Sequence, residues 1–438
     1  MDKKIIRFFA GVLVLGGLFG AAGCSRSQIN YQIAESIGTL GQYENNEPVE
    51  TPKMKAKREQ EESEAAIEQT MTDTLEEASV LAKGYQYEQA IALLQDSDID
   101  QDDERVISAV AEYQSDLEDM YEYDGVIPHL SFPSLIVDTE RAFQSSGNGT
   151  TYASVMITLS EFEGILEELY RNGYFLIDIH SLMGETTDEN GNTVVTSLNP
   201  VIPEGKKPFV LSVDNLDYSQ VIKNGDGIAT RLALDENGEV KAVYTDTEGH
   251  DLKGDYDVVP VLESFIQEHP DFSFQGARGI IGLTGKNGIF GYEIEDDGNI
   301  DYSENRQIVR QIADKLRADG WSFACETYSY AKLAEYSYEA LTEEIGKWET
   351  AVGSLIEGVD ILIYPYGSEV NSEEKAAYLN GRGFWYFIGL WATDDYREVI
   401  GDYMKQTRRM VNGYVFDNSP GIFESFFSVS AILDEERH

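Results

Sequence analysis

Asp214 and Asn215 follow a hydrophobic run, Pro208-Phe209-Val210-Leu211-Ser212-Val213. Glu326 follows a second run, Trp321-Ser322-Phe323-Ala324-Cys325, and Tyr330 stands four residues beyond it. Pro365, Tyr366 and Gly367 follow a third, Ile361-Leu362-Ile363-Tyr364. An apolar run that ends on acidic and polar side chains reads as a buried strand whose C-terminal end opens to solvent. In a parallel α/β barrel that end is where chemistry is kept. Asp214 is a candidate pocket residue. Together with Glu326 it also makes a carboxylate pair of the kind that hydrolyses glycosidic bonds. Asp217, three residues past Asp214, and Glu326 are weak candidates for oxygen ligands, which would select Mg²⁺, Mn²⁺ or Ca²⁺ over Zn²⁺.

The elements that must position these residues recur as helix, glycine, apolar strand. Thr158-Leu159-Ser160-Glu161 has the spacing of a capping box; Phe162, Ile165, Leu166 and Leu169 then line one helical face, and Gly173 can stop it. Phe175 to Ile179 reads as the next strand. Ser303 is placed to cap a helix carrying Ile308, Val309, Ile312 and Leu316, which Gly320 ends before the Trp321 run. Asn380-Gly381-Arg382-Gly383 leads to Phe384-Trp385-Tyr386-Phe387-Ile388. This alternation predicts parallel strands with crossover helices over about residues 124–438. A β-rich insertion is expected near 225–300, where Asn237-Gly238 has hairpin-turn chemistry. Lys405, Arg408 and Arg409 read as a solvated helix face. Cys325 reads as a buried small hydrophobe, and His129 and His180 as core or edge residues.

The chain has 438 residues and a net charge of −46, which argues against nucleic acid as a partner. It begins Met1-Asp2-Lys3-Lys4, continues through an apolar run from Phe8 to Phe19, and reaches Ala21-Ala22-Gly23-Cys24. A basic start, a short apolar stretch and small residues predict an export signal over 1–23. The last four residues resemble a bacterial lipoprotein box, which implies lipidation of Cys24 and an extracytoplasmic protein anchored to the cell membrane. Residues 24–60 read as a flexible tether. Residues 61–123 read as a helical hairpin resembling one tetratricopeptide unit. It reads as a hairpin packed on the main domain or acting as a stalk, and 61–122 is the candidate surface for a protein partner.

The order of strand ends resembles that of bacterial polysaccharide deacetylases of the NodB-homology type, across about residues 124–434. The resemblance implies an irregular (β/α) barrel. In that family an Asp-Asp pair supplies a base and a metal ligand, and two His four apart complete the metal site. An Arg-x-Pro-x-Gly motif orients the base, and a late His supplies the acid. On this resemblance Asp214 stands at the base and Asn215 in the metal-binding Asp position. Glu326 and Tyr330 stand where the two His belong, and Ile363 replaces the Arg before Pro365 and Gly367. None of the five histidines falls in the later motifs. An amide, a carboxylate and a phenol bind transition ions poorly.

Four readings stay open on the residues alone. The first is a lipid-anchored, deacetylase-like protein that binds cell-envelope glycan (peptidoglycan or a surface polysaccharide) without a cofactor and with impaired or absent deacetylation. Asp214, Asn215, Glu326, Tyr330, Pro365, Tyr366 and Gly367 would line its cleft. The second is an active deacetylase, hydrolysing N-acetyl C–N bonds with a divalent metal ion held by oxygen ligands. The third is a glycosidase using Asp214 and Glu326. A purely structural surface protein, working through its helical hairpin, is a further alternative.

Overall fold

The computed structural model describes residues 51–145, 148–218, 226–296, 300–390 and 395–437. The signal over 1–23, Cys24 and the tether up to residue 50 lie outside the described residues. The chain divides into two compact units, residues 1–64 and 65–438. The first contains the start of helix α1 (Pro52–Lys83), where Lys55–Glu59, Lys57–Glu61 and Arg58–Glu62 pair along exposed turns. Such i,i+4 pairs, with Pro52 at the first helical position, give a polar segment enough support to wind. Residues 52–60 are therefore helical rather than the flexible end of a tether.

The second unit is a closed, parallel, seven-stranded (β/α) barrel. Its strands are β1 (His129–Phe132), β2 (Lys207–Val213), β3 (Ile280–Leu283), β4 (Ser322–Cys325), β5 (Ile361–Ile363), β6 (Tyr386–Leu390) and β7 (Tyr403–Met410). Each pairs in parallel with the next, and β7 pairs with β1 to close the ring. The barrel is irregular. Tyr174–Leu176 runs parallel beside the first half of β2, below β3, and Arg397–Ile400 pairs antiparallel along β7. Strand Phe175–Ile179 of the sequence reading is shorter than expected, because a 3₁₀ turn begins at Ile179.

The crossovers carry α4 (Leu159–Arg171), α5 (Val258–Glu268), α6 (Ser303–Asp319), α7 (Tyr338–Trp348) and α8 (Glu373–Gly381). The capping box at α4 is formed. Glu161 N donates to Thr158 Oγ1 at 3.1 Å, and Thr158 N donates to Glu161 Oε2 at 2.8 Å. Ser303 is not a cap: it is the first residue of α6, and Asp301 Oδ1 accepts its N–H at 2.9 Å. The β-rich stretch is a three-stranded antiparallel sheet, Arg231–Leu234, Val240–Thr245 and Asp251–Gly254, with Asn237-Gly238 at its first turn. It ends well before residue 300, since α5 and β3 follow and belong to the barrel.

Strand alternation sorts the side chains. Leu130, Phe132, Leu211, Val213, Ile281, Leu283, Phe323, Cys325 and Leu362 share the outer core with the crossover helices. Val210, Ile280, Ala324, Ile361, Ile363, Ile388 and Met404 fill the lumen. That inner cluster continues into Phe175, Phe274 and Tyr85, and on into Met71, Ala78, Ala90 and Leu94 of α1 and α2 (Tyr87–Asp96). Tyr85 packs its ring 5.7 Å from Phe175 and 5.6 Å from Phe274, and its hydroxyl donates to Asp271 O at 2.9 Å. The α1–α2 turn thus packs against the barrel, with α3 (Glu104–Glu118) beside α2. No described helix is long and apolar enough to cross a membrane.

Candidate functional site

The inward positions change character toward the C-terminal ends of the strands. Below them lie aliphatic residues; above lie His129 and Ser131 of β1, Ser212 of β2, and Gln406 and Arg408 of β7, all buried. Arg408 was expected on a solvated helix face. It lies instead on β7, in register with Met404 and Gln406, with its side chain 1% exposed. The two-residue period of a strand turns it inward. It is the site residue that the sequence reading missed, and the alternation Met404, Gln406, Arg408 is the signal that marks it.

Arg408 Nη1 donates to Asp214 Oδ1 and, at 3.1 Å, to Ser212 Oγ; its Nη2 lies 3.8 Å from Glu326 Oε1. Glu326 in turn accepts the backbone N–H of Asn215 through Oε2 at 2.7 Å. Asn215 sits in the left-handed region, φ 52°, which a short polar side chain tolerates and which turns its N–H toward the carboxylate. Thr284 Oγ1 lies 3.1 Å from both Asn215 Oδ1 and Asp217 Oδ2, and Asn287 Nδ2 donates to Asp217 Oδ2 at 2.9 Å. Asp214, Asn215, Glu326 and Asp217, drawn from two strand ends, therefore form one connected polar cluster.

Burial pushes the Glu326 carboxyl well above its ordinary range, and the Asp214 charge adds to this; Arg408 opposes both. Its neutral form is favoured. Burial likewise lowers His129, to about 3, helped by the Arg408 charge. Gln406 Nε2 donates to Ile127 O at 3.2 Å, so its Oε1 faces His129 Nδ1, also at 3.2 Å. The neutral ring then carries its proton on Nδ1. His129 Nε2, Ser131 Oγ, Asp214 Oδ2, Glu326 Oε1 and Arg408 Nε have no hydrogen-bond partner among the described residues.

Glu326 fits only because its neighbour on β3 is glycine. A Cβ on Gly282 would stand 2.5 Å from the Glu326 carboxyl carbon and Oε2. Gly282→Ala is expected to cost about 1–3 kcal/mol by overpacking, seen as a lower thermal midpoint. Pairing it with Glu326→Ala should recover most of the loss.

Tyr330 and Tyr366 stand over this cluster. Their rings meet edge to face with centroids 5.0 Å apart, and Lys332 Nζ lies 5.3 Å from the Tyr366 ring centre. Tyr330 is half-buried, and burial raises its phenol far above the ordinary value, with the Glu326 and Asp214 charges adding to it. Tyr366 is 62% exposed. Both have positive φ, 58° and 57°, as does Thr327 at 61°. For bulky residues this conformation costs on the order of 1–3 kcal/mol each, and it concentrates at ligand sites. Pro365 is buried below the turn, and Gly367, φ 65°, passes so close to β6 that a Cβ would meet Leu390 Cβ at 2.9 Å. Asp214, Asn215, Glu326, Tyr330, Pro365, Tyr366 and Gly367 all follow the C-terminal ends of β2, β4 and β5.

No family model matches the chain, and no curated protein matches it. Among solved structures, it is similar to the Streptococcus pyogenes deacetylase PplD in complex with acetate. The identity is 13% and the TM-score 0.37, over 66% of this chain and 93% of that one. It is also similar to the Bc1960 peptidoglycan N-acetylglucosamine deacetylase, with 14% identity and a TM-score of 0.21 over 40% of this chain and 72% of that one. At these TM-scores the likeness carries no functional argument.

The donor set is a poor fit for a resident divalent ion. The guanidinium lies against both carboxylates that such an ion would share, and its charge opposes a second cation there. Asp217 is already engaged by Thr284 and Asn287. No group of three His, Cys, Asp or Glu able to hold a metal is found among the described residues. Cys325 is buried beneath the outer helices and its thiol is pushed well above the ordinary value by that burial, which makes it a poor nucleophile. His180 lies apart from the cluster, between Asp178 (2.7 Å) and Asp360 (3.1 Å).

Proposed function

We propose that this protein is a lipid-anchored, extracytoplasmic, polysaccharide deacetylase-like protein. It holds a cell-envelope glycan at the C-terminal mouth of its barrel, and its metal-dependent deacetylation is impaired or absent. The observation that carries the reading is the Tyr330–Tyr366 pair: two aromatic residues in strained backbone positions, one of them exposed, over a cluster of buried charge. An exposed ring face at a barrel mouth offers a flat apolar surface to a sugar ring, and the polar groups beside it offer hydrogen bonds to hydroxyls. The order of the motif residues along the strand ends supports the deacetylase-like part. The Ala-Ala-Gly-Cys24 layout supports the anchor.

The test is retention of the full chain on insoluble peptidoglycan and on acetylated chitooligosaccharide. Tyr366→Ala is expected to weaken retention about tenfold or more, the loss of one central aromatic contact. Its thermal midpoint should move little, because most of the ring is exposed and its contacts are at the surface. Equal retention by the two proteins would sink the mouth as the binding site and shift attention to the helices at 61–122.

One observation favours a glycosidase as a second reading. A neutral Glu326 beside an ion-paired Asp214 has the polarity of an acid and its anionic partner. Against it, Glu326 has no exposed surface from which to reach a glycosidic oxygen. Reducing-end release without acetate would establish it.

A further inference from the structure

We propose that Arg408 is the resident cation of this barrel: its guanidinium takes the position a metal ion would need between Asp214 and Glu326, and it keeps divalent ions out. The inference goes beyond glycan binding and holds whether or not the mouth takes a sugar.

The placement is fixed by the fold. Arg408 pairs with Leu390 of β6, and its neighbours Arg409 and Met410 pair with Leu130 and Ser131 of β1, so its side chain has no route out of the lumen. Its two terminal nitrogens reach two different strand ends, Asp214 after β2 and Glu326 after β4. A planar, permanently charged fork suits that task, where a lysine would supply only one point of charge. The guanidinium donates to Asp214 and stands 3.8 Å from Glu326, so the two acidic side chains share one fixed cation.

What Arg408 blocks can be read from the groups it faces. Asp214 Oδ2 and Glu326 Oε1 are buried without a hydrogen-bond partner among the described residues, and Ser212 Oγ accepts from Arg408 itself. Once the guanidinium is gone, the acidic side chains of Asp214 and Glu326 and the Ser212 hydroxyl are left without the cation between them. An all-oxygen set of that kind selects hard ions such as Mn²⁺, Mg²⁺ or Ca²⁺.

The experiment uses Mn²⁺ alone, titrated into the full chain and read by the electron paramagnetic resonance signal of the free ion. Glu326→Gln corrects for uptake by the acidic surface, since it changes one buried side chain to an amide of the same shape and leaves every surface carboxylate in place. Wild type is expected to take up no more Mn²⁺ than Glu326→Gln. Arg408→Ser is expected to take up one further equivalent that Arg408→Ser/Glu326→Gln loses, while Arg408→Lys, which keeps a cation in place, takes up none. An equivalent bound by wild type and lost in Glu326→Gln would overturn the proposal, as would a folded Arg408→Ser with no uptake beyond its double variant. If Arg408→Ser does not fold, wild type against Glu326→Gln decides alone. Mn²⁺ uptake reads only the lumen and glycan retention by Tyr366→Ala reads only the mouth, so either idea can fail without the other.

Discussion

Asp214→Ala is expected to cost about 3–5 kcal/mol of folding stability, the usual loss when one partner of a buried ion pair is removed. Arg408 is the reason. Its side chain is 1% exposed, and Asp214 is the acidic side chain hydrogen-bonded to it. Without Asp214 the guanidinium faces only Ser212 and a carboxyl that favours its neutral form, so a buried charge is left without its counter-charge. A urea titration would show the midpoint falling with an unchanged slope. Arg408→Met/Asp214→Ala should be more stable than Asp214→Ala alone, because the stranded charge leaves with its partner and a methionine fills much of the space. A double variant as unstable as the single one would show that Asp214 acts through the strand end rather than through Arg408. The size of this effect also makes Asp214→Ala a poor probe of glycan binding, since lost retention could report lost folding. The exposed Tyr366 has no such ambiguity.

Acidification is expected to cost about 5 kcal/mol through His129 alone, at about 1.4 kcal/mol for each pH unit of displacement. Burial and the Arg408 charge hold the folded ring neutral down to about pH 3, from an ordinary 6.5. The unfolded chain takes the proton first. Stability from this residue is therefore whole above pH 6.5, declines as the pH falls below it, and is fully lost near pH 3. Glu326 has the opposite sign: its raised carboxyl gains a proton in the fold and favours acid. For that reason the measurement is a difference, with wild type and His129→Gln unfolded in urea across the pH range. The variant should show the shallower acid limb. Parallel limbs would mean that His129 is not held neutral in the lumen.

The lumen also explains what the sequence concealed. Strands β4, β5 and β6 were legible because each follows a helix and a glycine, and β2 because Pro208–Leu211 is an unbroken apolar run. β1 and β7 were not. Their inward positions carry His129, Ser131, Gln406 and Arg408, so each reads as a mixed polar segment, and Lys405, Arg408 and Arg409 together imitate a solvated face. Hydrophobic patterning assumes that the inside is apolar, and this barrel is polar along its upper inside. β3 was hidden differently: Ile280–Leu283 is four residues long and follows a stretch whose turns and glycines suggested a larger insertion. The candidate site was legible as residues, because Asp214, Asn215, Glu326, Tyr330 and Tyr366 all follow readable strands. The cation that organises them was not, since it comes from a strand that pattern alone does not reveal.

The mouth is proposed to grip an acetylated glycan and to leave it acetylated. Acetate release should therefore be measured on peptidoglycan that the full chain has retained, with Mn²⁺, Zn²⁺ or a chelator added in turn. Retained glycan with no acetate above the level given by Glu326→Gln, whichever addition is made, is the result expected. Steady turnover that appears with either ion and disappears with the chelator would contradict it.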